Sequence, residues 1–381
     1  MDKIVKNLDQ DYILNTLKDL ISVESITSSE ADGEKKAAIL LIDKMKELGI
    51  ESDYNEIVPG RANAVGTIAQ SKGPTLALNG HLDVVPADKN SWNSNPFIPY
   101  FEDGKIFGRG TADMKGAIAA MLGAVKYILD NDIKINGKLL LSFVCDEEKT
   151  NLGTINFLEN YSKIDYAVIG EPTGLDINIA HRGVVRMTIK VSGQSGHASE
   201  PDKSENAIYK MNEIINLIRK YSEEISSKKH HLLPSPTIAV TKIKGGTNDN
   251  VIPGECQITV DRRMIPGEDS SSVLKELKTL LAGYDVDFKK TVDLIPGEID
   301  EKNDFVFKLK ELYKDYFRSA PDLDYFRASC EQSLFLNKGI DTVIFGPGDI
   351  SQAHTRNEYI EINDLLQAAG YYLYIIQELL K

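Results

Sequence analysis

The stretch Thr75–Ala120, TLALNGHLDVVPADKNSWNSNPFIPYFEDGKIFGRGTADMKGAIAA, decides how the rest of the chain is read. It holds two polar clusters, each beside a readable element. His81-Leu82-Asp83 follows the apolar run Thr75–Leu78. Thr111-Ala112-Asp113-Met114-Lys115 stands between the Gly108-Arg109-Gly110 turn and a helical run from Gly116 to Leu129. Successive side chains of a strand alternate, so a strand ending in His-x-Asp sends both side chains to one face. There one binds a metal and the other supports it. An Asp in the turn before a helix is placed to reach the same point. The stretch therefore reads as half of a metal-centred hydrolytic site.

Two further strands end in the same way. Leu139–Val144 is an almost continuous apolar run, the pattern of a central strand covered on both faces, and it runs into Cys145-Asp146-Glu147-Glu148. Ala167–Ile169 runs into Gly170-Glu171-Pro172-Thr173. Sites in open α/β sheets form at the carboxyl ends of strands, so the three polar ends are expected to converge. Two adjacent carboxylates after an apolar strand are costly to bury unless a cation or proton compensates them. Glu147 and Glu148 point apart, so one can bind metal while the other moves a proton. Asp113 can bridge two divalent ions about 3.5–4 Å apart.

Later in the chain, His354 lies in Ala353-His354-Thr355-Arg356-Asn357-Glu358, after the Gly346-Pro347-Gly348 turn. His197 sits in the Gly/Ser loop Ser192-Gly193-Gln194-Ser195-Gly196-His197-Ala198-Ser199, where it could donate to a carbonyl oxygen as negative charge develops. Asn250, in NVIPGE, and Arg263, at the end of a strand, form a pair suited to a substrate carboxylate. Each of these residues has an ordinary reading too: a surface histidine beside a turn aspartate, a helix N-cap, a solvated loop pair, an edge-strand cation. Their joint order is what favours chemistry.

A chain of 381 residues is long for one domain and suggests two or three. The net charge of −13 argues against a nucleic-acid partner. Cys145, Cys256 and Cys330 are widely spaced with no C-x-x-C pair, which fits a reducing compartment and excludes a thiolate metal site. MDKIVKNLDQDY has no apolar core, so no signal peptide is expected. No window approaches eighteen uninterrupted apolar residues, so no membrane span is expected and a cytoplasmic protein is inferred. Gly108-Arg109-Gly110 lacks the pattern of a phosphate-binding loop.

Helical periodicity marks residues 10–21, 34–48 and 115–129. Around residues 178–184 the pattern changes. Strand, helix, strand, strand, helix, strand then follow through Lys290, which suits an inserted α+β domain over 178–290. The first domain would be formed by residues 1–177 and 291–381, closed by a helix at Ile362–Leu380.

GHLDVVP, GRGTADMKGA, DEE, GEPT, SGQSGHAS, NVIPGE and AHTRNE together resemble the dinuclear-zinc aminoacylase/carboxypeptidase (M20) family, the family of acetylornithine deacetylase and succinyl-diaminopimelate desuccinylase. The resemblance implies an α/β zinc-peptidase-like catalytic domain, with a mixed sheet flanked by helices, and an inserted α+β lid and dimerisation domain. It implies two Zn²⁺ ions, with Co²⁺ as a possible substitute. His81 and Glu171 would hold one ion, Glu148 and His354 the other, and Asp113 would bridge them. Asp83 would orient His81, and Glu147 would act as general base and acid. His197 would reach across a homodimer interface to the oxyanion. Asn250 and Arg263 would hold the substrate carboxylate, and Gly346 would shape the pocket wall. The implied reaction is hydrolysis of an N-acyl amino acid by metal-activated water, with dipeptide or carboxyl-terminal cleavage as the alternative. A binding protein without catalysis would need a broken ligand set, and no expected ligand is missing. The segment Arg327-Ala328-Ser329-Cys330-Glu331 departs from the Gly/Thr/Asp-rich segment of many relatives, at a place tied to acyl-group preference.

Overall fold

The computed structural model describes residues 2–27 and 32–381. The chain divides into two compact units, one running up to Ala180 and resuming at Glu298–Lys381, the other His181–Gly297. The divisions therefore fall after Ala180 and Gly297 rather than at 177 and 290. The physical reason lies in two strands. Ile177–His181 belongs to the large sheet, and the last long strand of the insert extends to Leu294.

The first unit is built on a nine-stranded mixed sheet. From one edge its strands run Glu51–Val58, Arg61–Ala69, Lys138–Val144, Thr75–His81, Tyr166–Ile169, Asp341–Ile344, Ile177–His181 and Gly297–Glu298, with Leu323–Phe326 pairing to Ile177–His181. The middle is parallel: Thr75–His81 lies between Lys138–Val144 and Tyr166–Ile169, and Asp341–Ile344 adds beside Tyr166–Ile169. These parallel strands are apolar throughout and covered on both faces, as expected of such strands. Their carboxyl ends therefore lie together and carry His81, Glu147, Glu148 and Glu171.

Glycine spacing shows which helix covers which face. Gly80 and Gly170 lie against Met114, Ala117, Ile118 and Met121, so this face meets the helix Gly116–Asp130. That helix is apolar on most sides because the helices Gln10–Ser22 and Ile362–Leu379 pack on it from outside. On the opposite face Ala77, Leu140, Val144, Ala167 and Ile169 pack with Phe157, Phe335 and Phe326. The helices read from periodicity over 10–21 and 115–129 are observed at Gln10–Ser22 and Gly116–Asp130.

The second unit is a four-stranded antiparallel sheet in the order Thr237–Gly245, Glu255–Met264, Gly183–Ser192, Val286–Leu294. Alternate residues Val185, Met187, Ile189 and Val191 face a core shared with Met211, Ile214 and Ile218 of the helix Ala207–Ile225, and with Val273 and Leu277 of Ser270–Leu280. Among the described residues no helix is long and apolar enough to cross a membrane. The three cysteines are buried free thiols.

Candidate metal centre

His81 closes the strand Thr75–His81 and is fully buried. Its Nδ1 lies 2.9 Å from the carbonyl oxygen of Asp83, an acceptor, so Nδ1 carries the hydrogen and donates it. Nε2 is left to face the cluster, 2.9 Å from Asp113 Oδ1 and 3.8 Å from Glu171 Oε1. This refines the expectation for Asp83. It orients His81 through its backbone carbonyl, while its carboxylate stands 3.8 Å from Nδ1. That carboxylate instead accepts from the backbone N–H groups of Glu147, at 3.1 Å, and Glu148, at 3.0 Å.

Asp113 reaches the centre from the Gly108–Asp113 turn, which Glu358 holds. The buried Glu358 carboxylate accepts from the backbone N–H groups of Gly110, Ala112 and Asp113 and from Arg109 Nη1 at 2.6 Å. The same late segment delivers His354, whose Nε2 lies 2.9 Å from Glu148 Oε1 and 3.3 Å from Asp113 Oδ2. One aspartate thus gives each of its oxygens to a different histidine. Gly346 fits against the loop of Glu171: a Cβ at Gly346 would lie 2.3 Å from Gly170 O and 2.6 Å from Glu171 O.

The electrostatics follow from crowding carboxylates into a dry volume. Burial pushes Glu147 and Glu171 well above the usual carboxylate range; His81 relieves both, and neighbouring carboxylates raise them further. Burial also raises Glu148, against the hydrogen bond from His354. Burial alone would lower His81, but Asp113 with Glu147 and Glu171 outweighs it and raises the imidazole well above its ordinary value. Asp113, then Glu148, lift His354 to about 10. Asp113 itself is held low despite its burial, because His354 and His81 both face it.

The donor set fits divalent cations. Two sets, His81 with Glu147 and Glu171 and His81 with Asp113 and Glu148, each place one ligand atom per residue within 4.8 Å of one another. Zinc bonds of about 2.0–2.2 Å to nitrogen and oxygen put neighbouring ligands within roughly 4.4 Å, so the 2.9–3.8 Å separations around His81 and His354 suit them. The 2.9 Å approach of His81 Nε2 to Asp113 Oδ1 calls for positive charge between them, which a proton on Nε2 or a cation in its place supplies. Imidazole and carboxylate without thiolate is the donor chemistry of a hydrolytic rather than a structural site.

The remaining expected residues lie in the second unit. His197 is exposed and pairs through its backbone with Val251, while Ala198 N–H donates to Asn250 O, so His197 and Asn250 come together on one short ladder. His197 Nδ1 accepts from the backbone N–H of Ser199 and lies 2.7 Å from its hydroxyl. Asn250 is exposed. Arg263 Nε pairs with Asp261 Oδ1 at 2.8 Å, so its guanidinium already has a carboxylate partner. Its neighbour Arg262 is the buried arginine, 2.8 Å from Glu268 Oε1.

Glu34, Arg61, Lys115, Glu331 and Glu358 are buried charged residues that the motifs did not single out for a role. Lys115 Nζ donates to the carbonyls of Leu20 and Val23, the end of the Gln10–Ser22 helix. Glu331 accepts at 3.0 Å from Nδ2 of Asn79, two residues before His81 on the same strand. The sequence signal available for Lys115 and Glu358 was their place inside the GRGTADMKGA and AHTRNE motifs.

Comparison with known proteins gives the family. Residues 77–378 match the model of Peptidase family M20/M25/M40. The chain belongs to that family and is a hydrolytic enzyme acting on amide bonds. An acetylornithine deacetylase of Vibrio cholerae is 33% identical over 362 residues, 91% of this chain and 93% of the relative. An M20 family metallo-carboxypeptidase from Sulfolobus solfataricus superposes with a TM-score of 0.81 at 22% identity, covering 96% of this chain and 98% of the other. A Bacillus subtilis protein described as a dinuclear metal binding peptidase of the M20 family superposes with a TM-score of 0.73 at 16% identity, over 97% and 98% of the two chains.

Proposed function

We propose that this enzyme removes the acyl group from an N-acyl amino acid, a deacylase of the acetylornithine deacetylase or succinyl-diaminopimelate desuccinylase type. The observation that carries the reading is Asp113, whose two oxygens face His81 and His354 separately, with Glu148 and Glu171 beside them. Two cations would be held here: His81, Glu171 and Asp113 for one, Glu148, His354 and Asp113 for the other. When bound, Zn²⁺ (or Co²⁺ in its place) supplies Lewis acidity to the amide carbonyl and to water.

The rest of the chemistry belongs to side chains. Glu147 takes a proton from the attacking water and returns it to the departing amine, which makes one carboxylate both base and acid. Asp83 keeps the Glu147 and Glu148 backbones fixed and orients His81 through its carbonyl. The inserted unit serves dimerisation, and the partner's His197 shares the oxyanion charge. Asn250 and Arg263 meet the substrate carboxylate, Arg263 exchanging Asp261 for it. The acyl amino acid reading is supported by the identity to the Vibrio relative across nearly the whole chain.

A panel of N-acetylornithine, N-succinyl-diaminopimelate and simple dipeptides, each run with added Zn²⁺ and Co²⁺, tests it. Faster turnover of an N-acyl amino acid than of any dipeptide, abolished by chelator, is the expected result. Preferential dipeptide cleavage would instead make the enzyme an exopeptidase. Amide hydrolysis by metal-free protein, indifferent to chelator, would overturn the metal assignment.

A further inference from the structure

Glu147 and Glu148 sit on the loop between the strand Lys138–Val144 and the helix Leu152–Asn160. A buried loop with adjacent acidic side chains needs a rigid mount, and the neighbouring strand Arg61–Ala69 provides it. Arg61 and Asn63 share one face of that strand, two residues apart. Asn63 Oδ1 accepts from Cys145 N–H at 3.0 Å, and Asn63 Nδ2 donates to Gly153 O at 2.8 Å. One side-chain amide therefore closes both ends of the loop, beside the Gly153 N–H bond to Cys145 O at 3.1 Å. The closure is tight: a Cβ at Gly153 would lie 2.4 Å from Cys145 O and 2.6 Å from Asn63 Oδ1.

Arg61 fixes the turn itself. Its Nε lies 3.2 Å from Glu34 Oε2, and its Nη1 pairs with Asp146 Oδ1. Glu34 Oε1 accepts from Asp146 N–H at 2.7 Å, so Asp146 is held through backbone and side chain by one buried ion-pair group. Asp146 adopts a left-handed conformation, φ 66°, and its carbonyl accepts from the N–H groups of Lys149, Thr150 and Asn151. On its other flank the loop donates Glu147 N–H and Glu148 N–H to Asp83. The backbone of the acidic pair is gripped from two sides by side chains that do not touch a reacting atom.

We propose that Arg61 and Asn63 are positioning residues for proton transfer, holding the Cys145–Gly153 loop so that the Glu147 carboxylate keeps its place against His81 and Glu171. The proposal rests on the reading of Glu147 as the group that moves the proton. Misplacing a reacting group by about 1 Å costs on the order of 10²-fold in rate, so a loosened mount acts on turnover before it acts on binding.

The experiment compares Asn63→Asp, Asn63→Ala and Arg61→Lys with wild type and with Glu147→Gln, on the metal-loaded full chain. Asn63→Asp keeps the acceptor for Cys145 N–H and gives up the donor to Gly153. Asn63→Ala gives up both. Arg61→Lys keeps the charge but reaches only one carboxylate. The expected kcat falls about tenfold for Asn63→Asp and Arg61→Lys and about 10²-fold for Asn63→Ala. KM stays within about twofold, since substrate binding is not changed. At saturating Zn²⁺ the metal content, read by elemental analysis, equals that of wild type, so the loss of kcat is read on fully loaded protein. Hydrogen exchange at the Glu147 and Glu148 amides accelerates while the Thr75–His81 strand keeps its protection.

Folded variants with wild-type kcat overturn the proposal, as does a loss of kcat that tracks loss of metal or of protection across the sheet. If Asn63→Ala does not fold, the other two variants decide by the same readouts. The two readings fail separately. Wild-type turnover in Glu147→Gln removes the proton-transfer role and this proposal with it. An inactive Glu147→Gln beside fully active Asn63 and Arg61 variants removes the positioning role alone.

Discussion

Asp113 Oδ2 lies 3.3 Å from His354 Nε2, while Asp113 Oδ1 lies 2.9 Å from His81 Nε2. A single carboxylate thereby joins a histidine from the first strand of the parallel core to one from the final part of the chain. Replacing Asp113 with Ala should release both cations, with metal per chain falling toward zero by elemental analysis. A variant that still holds two ions would mean that the aspartate does not bridge.

Glu147→Gln tests proton transfer without disturbing shape. Turnover should fall by at least about 10²-fold, the lower range for a lost general acid–base group. Metal content should not change. A near-normal rate would assign the role elsewhere.

Chelation should cost stability as well as activity. A ligand that binds only the folded state at a concentration 100 times its Kd stabilises by about 2.7 kcal/mol per site. Removing the cations should therefore lower the thermal midpoint, and adding Zn²⁺ back should restore it together with activity. Coincident recovery of both in one titration is the expected outcome; recovery of activity with no change in midpoint would place the metal outside the buried cluster.

Glu358→Gln probes the grip on the Asp113 turn. The carboxylate takes three backbone N–H groups and the Arg109 guanidinium, all buried. Taking away its charge leaves Arg109 without a counter-charge, a loss of about 3–5 kcal/mol for a broken buried pair. Metal affinity should weaken by about 10–100-fold, the range for partners that orient metal ligands. Urea unfolding measures the first effect and chelator competition the second. An unchanged affinity would show that the turn holds its shape unaided.

The pH dependence of stability has a contribution from a histidine that none of the proposed roles uses. His181 is fully buried, and burial pushes its imidazole down to about 4, against a bond to the carbonyl of Arg182. The unfolded histidine titrates near 6.5. Between those values the unfolded chain binds the extra proton, so stability is complete above about pH 6.5 and is lost as the pH falls toward 4. At about 1.4 kcal/mol per unit, the loss approaches roughly 3 kcal/mol. His181→Gln should flatten this part of the profile in urea unfolding at pH 4, 5, 6 and 7. A variant whose profile parallels wild type would exclude the contribution.

The site was legible in the sequence wherever chemistry coincided with a strand end. His81, Glu147, Glu148 and Glu171 were placed because an apolar run broke abruptly into donors. Asp113 and His354 needed their motifs, since nothing local separates a ligand from a turn aspartate or a loop histidine. Asp83 stands out through its H-x-D spacing, yet which contacts its carbonyl and its carboxylate make depends on peptide orientation, which residue types do not encode. Arg263 illustrates the period-two ambiguity of a strand: one position decides between the buried Arg262 and a residue paired with Asp261. Arg61 and Glu34 look like surface charges in sequence, because a buried ion pair is recognisable only when its partners meet. The edge strand Glu51–Val58, ESDYNEIV, went unread for a related reason: its side chains are mostly solvated and carry little apolar alternation.

The strand Asp341–Ile344 enters the sheet between Tyr166–Ile169 and Ile177–His181, elements made far earlier in synthesis. It is followed by the segment that brings His354 and Glu358. On the ligand set proposed above, a chain still on the ribosome lacks both a metal ligand and the clamp on the Asp113 turn until this late insertion is complete, so activity would begin only near the end of translation.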